Sequence, residues 1–418
     1  MLSLADLKGK LNPEQLAAAT RLWTSNKAAL QVIAGAGSGK STTLVAAVFA
    51  AVDAGFTPER IAVITFSRRA AHELTERFTA QNFTPGYCGT MHALAWRLIR
   101  ATGTRPRLIL HAERIRGEIA RRLFPELAHI PEKILLSGTF LNSEARARLQ
   151  NQYAARLEAN NEIDFDTMIA RATASGMGSG KFDVVFVDEF QDTSPDQVAF
   201  IRSLRPQKLF VVGDDWQSIY RFRGADVAIT RDFTKQFEAS ERAYLVSNYR
   251  SGKPIVRLGN RVIRESGTYV KKKLRPTHPR YHKPVLFFAP DAEKSDTVWL
   301  RYLAAYAQST PHLKNEKVTV LVRTNGIRLE LERHRPENFE ILTIHKSKGL
   351  EFDNVIVFGV AEHILPHRDN DFDEEVRILY VALTRARRYL GFVGWERNGM
   401  ARSAFLPLLM RKCRLIYI

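Results

Sequence analysis

Residues 31–42 read "QVIAGAGSGKST". An apolar β-rich run, "ALQVI" at 29–33, leads into this glycine-rich turn, and "TTLVAAVFAAVDAG" at 42–55 continues as a helical run. In such a strand–turn–helix the successive backbone N–H groups wrap a phosphate chain at the helix N-terminus, where the dipole favours anions. Lys40 then reaches the β- and γ-oxygens, and the Ser41 hydroxyl ligates magnesium. The generic spacing asks for glycine at position 34, where this chain has Ala34. The context still predicts a P-loop nucleotide hydrolase, with an ordinary strand–turn–helix as the bland alternative. What the hydrolysis drives has to come from the rest of the chain.

At 418 residues the chain exceeds one ordinary core, and two or three domains are expected. Lys and Arg total 62 against 44 Asp and Glu, a net charge of +18. That excess suits a polyanionic partner, because neutralising phosphates releases condensed counterions. The two cysteines, Cys88 and Cys413, lie far apart without metal-ligand spacing, which argues against disulfide or zinc scaffolds and for a reducing compartment. The N-terminal "MLSLADLKGKLNPEQ" has no signal-peptide core, and no apolar run approaches the roughly 20 residues that span a bilayer. An intracellular, cytoplasmic and nucleoid-associated protein without a membrane partner is expected.

Ten β-rich runs alternate with helical stretches: "ALQVI", "IAVITF", "DVVFV", "KLFVV", "AYLV", "PVLFF", "VTVLV", "EILTI", "NVIVF" and "LGFV". Alternation of this kind predicts an α/β fold with parallel sheets, and ten runs suit two domains. The break is expected near 232–243, "DFTKQFEASERA", after the first four strands. Arginine-rich residues 101–162 show helical periodicity and no convincing strand, and read as a small helical insertion. The expected division is 1–100 with 163–236, 101–162 inserted, and 237–418. The run "KKKLRPTHPRYHK" at 271–283 has six Lys/Arg and no acid; it suits a phosphate-facing patch or a solvated loop.

Two more stretches carry chemistry. In "FDVVFVDEFQDTSPDQ" (182–197) a buried strand delivers Asp188 and Glu189 at its end. One carboxylate can hold the Mg²⁺ shell and the next can polarise the attacking water. In "VVGDDWQSIYRFRGAD" (211–226) a strand ends at a turn carrying Gln217, placed to sense a γ-phosphate. Tyr220, Phe222 and Arg223 follow, side chains that stack on bases unless they are core packing. Trp216 is either a further stacking surface or packing.

In their order these segments resemble superfamily 1 DNA helicases of the UvrD/Rep/PcrA type. "LNPEQ" (11–15) is similar to the adenine-reading Q motif, with Gln15 as reader, and "AGAGSGKS" (34–41) is similar to the family's P-loop, alanine first included. The resemblance implies nucleotide contacts from Ala36, Gly37, Ser38, Gly39, Lys40, Ser41 and Thr42, with Mg²⁺ on Ser41 and Asp188. "ITFSRRAAHEL" (64–74) and "GTMHALAWRLIR" (89–100) resemble DNA-contacting segments, implying Phe66, Arg69, Thr90 and His92 near DNA. "IDFDTMI" (163–169) and "VRTN" (322–325) match further segments. "NYRS" (248–251) implies Tyr249 stacked on adenine and Arg250 at the γ-phosphate. "TIHKSKGLEFDNV" (343–355) implies His345 on DNA and Glu351 toward the ribose, and "YVALTRARR" (380–388) makes Arg385 a second arginine finger.

The resemblance implies two RecA-like P-loop domains closing on ATP and Mg²⁺. It also implies 3′→5′ stepping on single-stranded DNA or at single-strand/duplex junctions by a monomer, with a protein loading partner left open. Family members usually carry a whole extra domain between the segments at 322–325 and 343–355, but here sixteen residues separate Asn325 from Leu342. A compact motor is expected, able to translocate and hydrolyse ATP but weak in unwinding, or else a partner-dependent remodeller of nucleoprotein.

Overall fold

The computed structural model describes residues 4–127, 129, 141–279, 281–290, 296–396 and 402–418. Among them the strands are, in chain order, Ala29–Ala34 (β1), Ile61–Thr65 (β2), Tyr87–Thr90 (β3), Arg107–Leu108 (β4), Glu162–Ile163 (β5), Val184–Val187 (β6), Lys208–Gly213 (β7) and Ser240–Leu245 (β8). They continue with Ser247–Gly252 (β9), Arg275–His278 (β10), Val285–Ala289 (β11), Val318–Val322 (β12), Phe339–Thr343 (β13), Phe352–Val360 (β14), Ala386–Trp395 (β15) and Arg414–Tyr417 (β16). All ten β-rich runs of the sequence fall on strands.

Two six-stranded sheets organise the chain, in the orders β3-β2-β6-β7-β1-β8 and β13-β12-β14-β15-β11-β16. Every pairing within them is parallel. Parallel sheets are covered on both faces, so their strands read as continuous apolar runs. β1, β2, β6 and β12 are buried along their whole length. Separate apolar clusters fill the two faces of each sheet.

One boundary of the sequence reading needs correction. "AYLV" was expected to open the second domain, yet β8 pairs with β1 from Ala29↔Ser240 to Ala34↔Leu245 and closes the first sheet. The chain crosses to the second lobe only after Leu245. The polar stretch 232–243 had suggested an earlier break, but it holds one short helix, Phe233–Gln236, and the start of an edge strand. A solvated edge tolerates polar residues, so composition there does not mark a domain end.

The insertion contains the helices Ala112–Leu123 and Ser143–Ala159, which share a small apolar cluster. Its base is the two-residue pairing of β4 with β5. Residues 128 and 130–140 of the expected insertion lie outside the described residues. Between β12 and β13 the chain forms only the helix Asn325–Glu332 and a short loop.

The lobes meet through more than surface contact. Trp216 and Ile219, on the loop after β7, belong to the same apolar cluster as Ile255, Val262, Leu379 and Tyr380 of the second lobe. Trp216 is fully buried, donates from Nε1 to the Val270 carbonyl at 3.1 Å and meets Tyr380 edge-on at 5.4 Å. Of the two readings of this residue the structure selects packing. Trp216→Ala is expected to remove about 3–5 kcal/mol of stability, the usual cost of deleting a buried indole. A lowered urea midpoint checks it, and an unchanged midpoint would show that the lobes do not depend on this contact.

Candidate functional site: a cleft between two sheets

The first sheet presents the carboxyl ends of β1, β6 and β7 to the interlobe cleft, carrying the phosphate loop, Asp188-Glu189 and Asp214–Gln217 respectively. Open parallel sheets bind ligands at this edge. The second sheet answers with the amino ends of two strands: Glu351 immediately precedes β14 and Arg385 immediately precedes β15. The β9 strand, paired with β10 beside that sheet, adds Asn248, Tyr249 and Arg250. A cavity of about 980 Å³ lies between, lined by Gln15, Gly37, Ser38, Gly39, Lys40, Ser41, Thr42, Asp188, Glu189, Gln217, Tyr249, Arg250, Glu351 and Arg385.

Gly37 and Gly39 have φ of +65° and +82°, left-handed conformations that favour glycine and bend the loop tightly. Gly39 is the N-cap of the helix Lys40–Asp53, which orients the helix N-terminus at the cavity. Ala36 is buried, and its carbonyl accepts from Asn248 Nδ2 at 2.6 Å. The Gly37 carbonyl accepts from the Tyr249 N–H at 2.8 Å. Gln15 is buried in the helix Pro13–Thr24. Its Nε2 donates to the Ser38 carbonyl at 3.0 Å, and its Oε1 accepts from the Asn12 N–H at 3.1 Å. The expected base reader therefore also clamps the loop.

Lys40 donates to Glu189 Oε2 at 2.8 Å. Glu189 sits at φ +51°, an uncommon conformation for a residue with a side chain, held by its neighbours at the end of β6. Burial and the adjacent Glu189 charge push the Asp188 carboxyl well above the ordinary range. Burial raises Glu189 as well, but Lys40 and Lys348 outweigh it and keep this carboxyl ionised. Gln217 Oε1 accepts from Arg385 Nη2 at 2.7 Å across the cleft. Burial and the nearby Arg250 lower Arg385 to about 9, which leaves it charged at neutral pH. Arg250 Nε donates to Glu351 Oε2 at 2.6 Å, and Arg387 pairs with the same carboxylate. Tyr249 is half-exposed, its hydroxyl accepting from Asn12 Nδ2 at 2.7 Å.

This donor set fits a nucleoside triphosphate with a magnesium ion. The left-handed glycines shape the loop against the helix N-terminus, and Lys40, Arg250 and Arg385 supply cations. Ser41 and Asp188 border the same space. No cluster of three or more His, Cys, Asp or Glu among the described residues forms a metal cage of its own. A cation here would complete its shell from ligand oxygens and water, which is the habit of Mg²⁺.

A second cavity of about 1,100 Å³ opens on the other side of Asp188 and Glu189, lined also by Phe66, Thr90, His92, Phe222 and Arg223. Phe66 stacks on Tyr220 at 5.2 Å, Tyr220 meets Phe222 at 5.9 Å, and His345 closes the group at 5.7 Å from Phe222. Arg223 lies 5.2 Å from the Tyr220 ring. Phe222 is two-thirds exposed, so it is no core residue. The Thr90 hydroxyl accepts from the Ala93 N–H as a helix cap. Arg69 is the residue that does not join: it turns to Glu73 on its own helix at 2.9 Å, and Arg68 lines the cavity instead.

The sequence reading missed Lys348 and Asp192. Lys348 Nζ donates to both Asp192 oxygens at 2.7 and 2.6 Å and to the Gln217 carbonyl at 2.8 Å, and stands 4.5 Å from the Tyr220 ring. One lysine thus touches the wall of both cavities. The third acid of "DEFQD" and the second lysine of "HKSKG" were its only signals.

The chain matches the UvrD/REP helicase N-terminal domain over residues 11–135 and 130–238, and the UvrD-like helicase C-terminal domain over 327–396. It is similar to DNA helicase IV of Escherichia coli (strain K12), 29% identical over 90% of this chain and 67% of that protein. It is also similar to a putative ATP-dependent DNA helicase, YjcD, of Bacillus subtilis (27% identical, 89% and 54% covered). A probable DNA helicase of Mycoplasma pneumoniae is 28% identical, with 92% and 83% covered. The chain therefore spans from about half to most of the length of these relatives. Among the described residues no helix is long and apolar enough to cross a membrane.

Burial, then the Arg323 charge, hold the His345 imidazole down to about 4. The ring is accordingly neutral at physiological pH and can offer a hydrogen bond but no charge. Its C–H resonances are expected to keep their neutral positions from about pH 8 to about pH 5.5, where an ordinary histidine is mostly charged. An NMR titration midpoint near the ordinary value would show that the ring is solvated.

Proposed function

The chain belongs to the UvrD/Rep helicase family, and on that premise we propose an ATP-dependent DNA translocase and helicase. It hydrolyses ATP between its lobes and moves 3′→5′ on single-stranded DNA. The observation that carries the reading is the Arg385–Gln217 hydrogen bond, which brings a second-lobe guanidinium into a cleft built on the first.

The proposed roles are supported by this geometry. The loop amides from Ala36 to Thr42, with Lys40, bind the triphosphate, while Gln15 and Tyr249 border the base and Glu351 the ribose. A γ-phosphate competes with Glu189 for Lys40, and the released carboxylate is then free to orient and polarise the attacking water. Ser41 and Asp188 would hold a Mg²⁺ ion, which would supply Lewis-acid neutralisation of phosphate charge. Gln217 reports the γ-phosphate, and Arg250 and Arg385 stabilise transition-state charge only while the lobes are together. Closure is thus favoured by triphosphate and loses its support on hydrolysis, a bistable element of the kind that drives switching.

The second cavity is read as the single-strand track. Phe66, Tyr220 and Phe222 offer stacking faces and Arg223 a cation. His345, His92 and Thr90 are polar contacts, and Arg68 is proposed in place of Arg69. The protein is proposed to act inside the cell as a monomer on DNA. The short link between β12 and β13 favours weak intrinsic strand separation, so a loading or remodelling partner is the second reading.

The test pairs a DNA-stimulated ATPase assay with strand displacement from duplexes bearing 3′ or 5′ tails. Single-strand-stimulated turnover, with displacement from 3′-tailed substrates alone, is expected. ATP turnover without any tail preference in displacement or translocation would overturn the polarity. Arg385→Ala is expected to lower kcat by roughly 10³-fold, as loss of an arginine finger does; near-normal turnover removes Arg385 from that role.

A further inference from the structure

The basic run at 271–283 is not one patch. Arg275 pairs with Glu14. His278 and Tyr281 line the nucleotide cleft. The Lys272 side chain has no exposed surface, and neither do its two acidic partners. Its ammonium donates to Asp214 Oδ1 at 2.8 Å and to Asp215 Oδ1 at 2.6 Å, 4.5 Å from the Trp216 ring centroid. A lysine stripped of water in this way is anchored by those carboxylates, which belong to the other lobe.

We propose that Lys272 is a positioning residue for ATP hydrolysis, fixing through Asp214 the orientation of the Gln217 amide in the cleft. The inference rests on the reading of that cleft as an ATPase. The remaining oxygen of Asp214 accepts from Gln217 Nε2 at 2.6 Å. A glutamine amide has one accepting end and one donating end. With the NH₂ group held by a carboxylate, the carbonyl faces the opposite way, toward Arg385 Nη2 at 2.7 Å. The flipped amide would set its carbonyl against the carboxylate and its NH₂ against the guanidinium, two repulsive contacts in a dry site. Lys272 and the Trp216 N–H hold the other oxygen of Asp214, Oδ1, at 2.8 and 3.2 Å, so that Oδ2 stays turned to Gln217. Without Lys272 the carboxylate loses one of its two anchors on Oδ1 and can turn away, and the acceptor that selects one amide orientation is lost.

Asp215 has a different task. Its second oxygen accepts from the Val270 N–H at 2.7 Å and ties the trio to the second lobe, without touching Gln217. The sensor of the first lobe is therefore oriented by a second-lobe cation, and only while the lobes are joined. This dependence on closure is separate from the delivery of Arg250 and Arg385.

The experiment measures DNA-stimulated ATP turnover at saturating single-stranded DNA in Lys272→Met, Gln217→Ala and the double variant. Lys272→Met is expected to lower kcat by about tenfold or more and to leave KM for ATP within about twofold. In the Gln217→Ala background the same substitution should have no further effect on kcat, because the two residues act as one unit. Equal losses in both backgrounds would mean a merely structural lysine, and unchanged kcat would remove the role; either result overturns the proposal. Should Lys272→Met fail to fold, Lys272→Met/Asp215→Asn keeps the trio at its net charge and carries the same expectations. A wild-type chain without DNA-stimulated turnover would overturn the reading of the cleft, and the inference with it.

Discussion

The carbonyls of Ala36 and Gly37 accept hydrogen bonds from Asn248 and Tyr249 of the opposite lobe. A phosphate loop turns its N–H groups inward, and the carbonyls that point outward need other partners, because buried backbone groups are rarely left unpaired. Here the second lobe supplies them. Gly37 shows how close the approach is: a Cβ there would fall 2.5 Å from the Arg250 Cβ. The glycine is needed for its left-handed backbone and equally for the contact. Loop shape and lobe closure are for this reason one structural variable, and whatever stabilises one stabilises the other.

Within the closed cleft each cation proposed to meet phosphate already has an acceptor in the protein. Lys40 has Glu189, Arg250 and Arg387 share Glu351, and Arg385 has the Gln217 carbonyl. Unpaired charges at such depth would be severely penalised. A triphosphate entering this site exchanges partners, so its gain is the difference between two sets of ion pairs and hydrogen bonds. That difference is more modest than the gross attraction, which suits a protein that must also release its product. It also gives the exchange a direction: the carboxylate set free from Lys40 is the one proposed to act on water.

The motif-bearing loops were legible in the sequence because their chemistry is local. A glycine-rich turn between a strand and a helix, or an acid pair at the end of an apolar run, needs no partner to be recognised. Runs such as β1, β2, β6 and β12 were legible for the same reason, since parallel strands buried on both faces leave no polar alternation to confuse them. What stayed hidden depended on the far side of a contact. β3, with the sequence "YCGT", is a strand through its pairing with β2. β4 and β5 are two residues each and exist by pairing with one another. β8 belongs to the first sheet because β1 offers it an edge, against the suggestion of the polar residues before it. Lys272 looked like a surface charge because two of its neighbours in sequence are also lysines; the acids that bury it are more than fifty positions away. Arg69 stood next to Arg68 in an indistinguishable pair, and only helix phase separates the one that lines the cavity from the one that does not.

Asp188 and Glu189 line both cavities, so a single layer of side chains separates the space read as nucleotide site from the space read as single-strand track. Coupling across so thin a wall needs no long relay. Lys348 spans it, gripping Asp192 and the Gln217 carbonyl while its ammonium faces the Tyr220 ring. Tyr220 stacks on Phe66 and meets Phe222, so a shift of the lysine is felt directly by the aromatic group. Lys348 lies on the segment after β13, in the second lobe, and its partners lie on the first. Any separation of the lobes must break this contact or drag the aromatic cluster with it. A strand held by those rings would then feel lobe motion as displacement, through van der Waals contact and one buried ion pair, which is the minimum the proposed stepping requires.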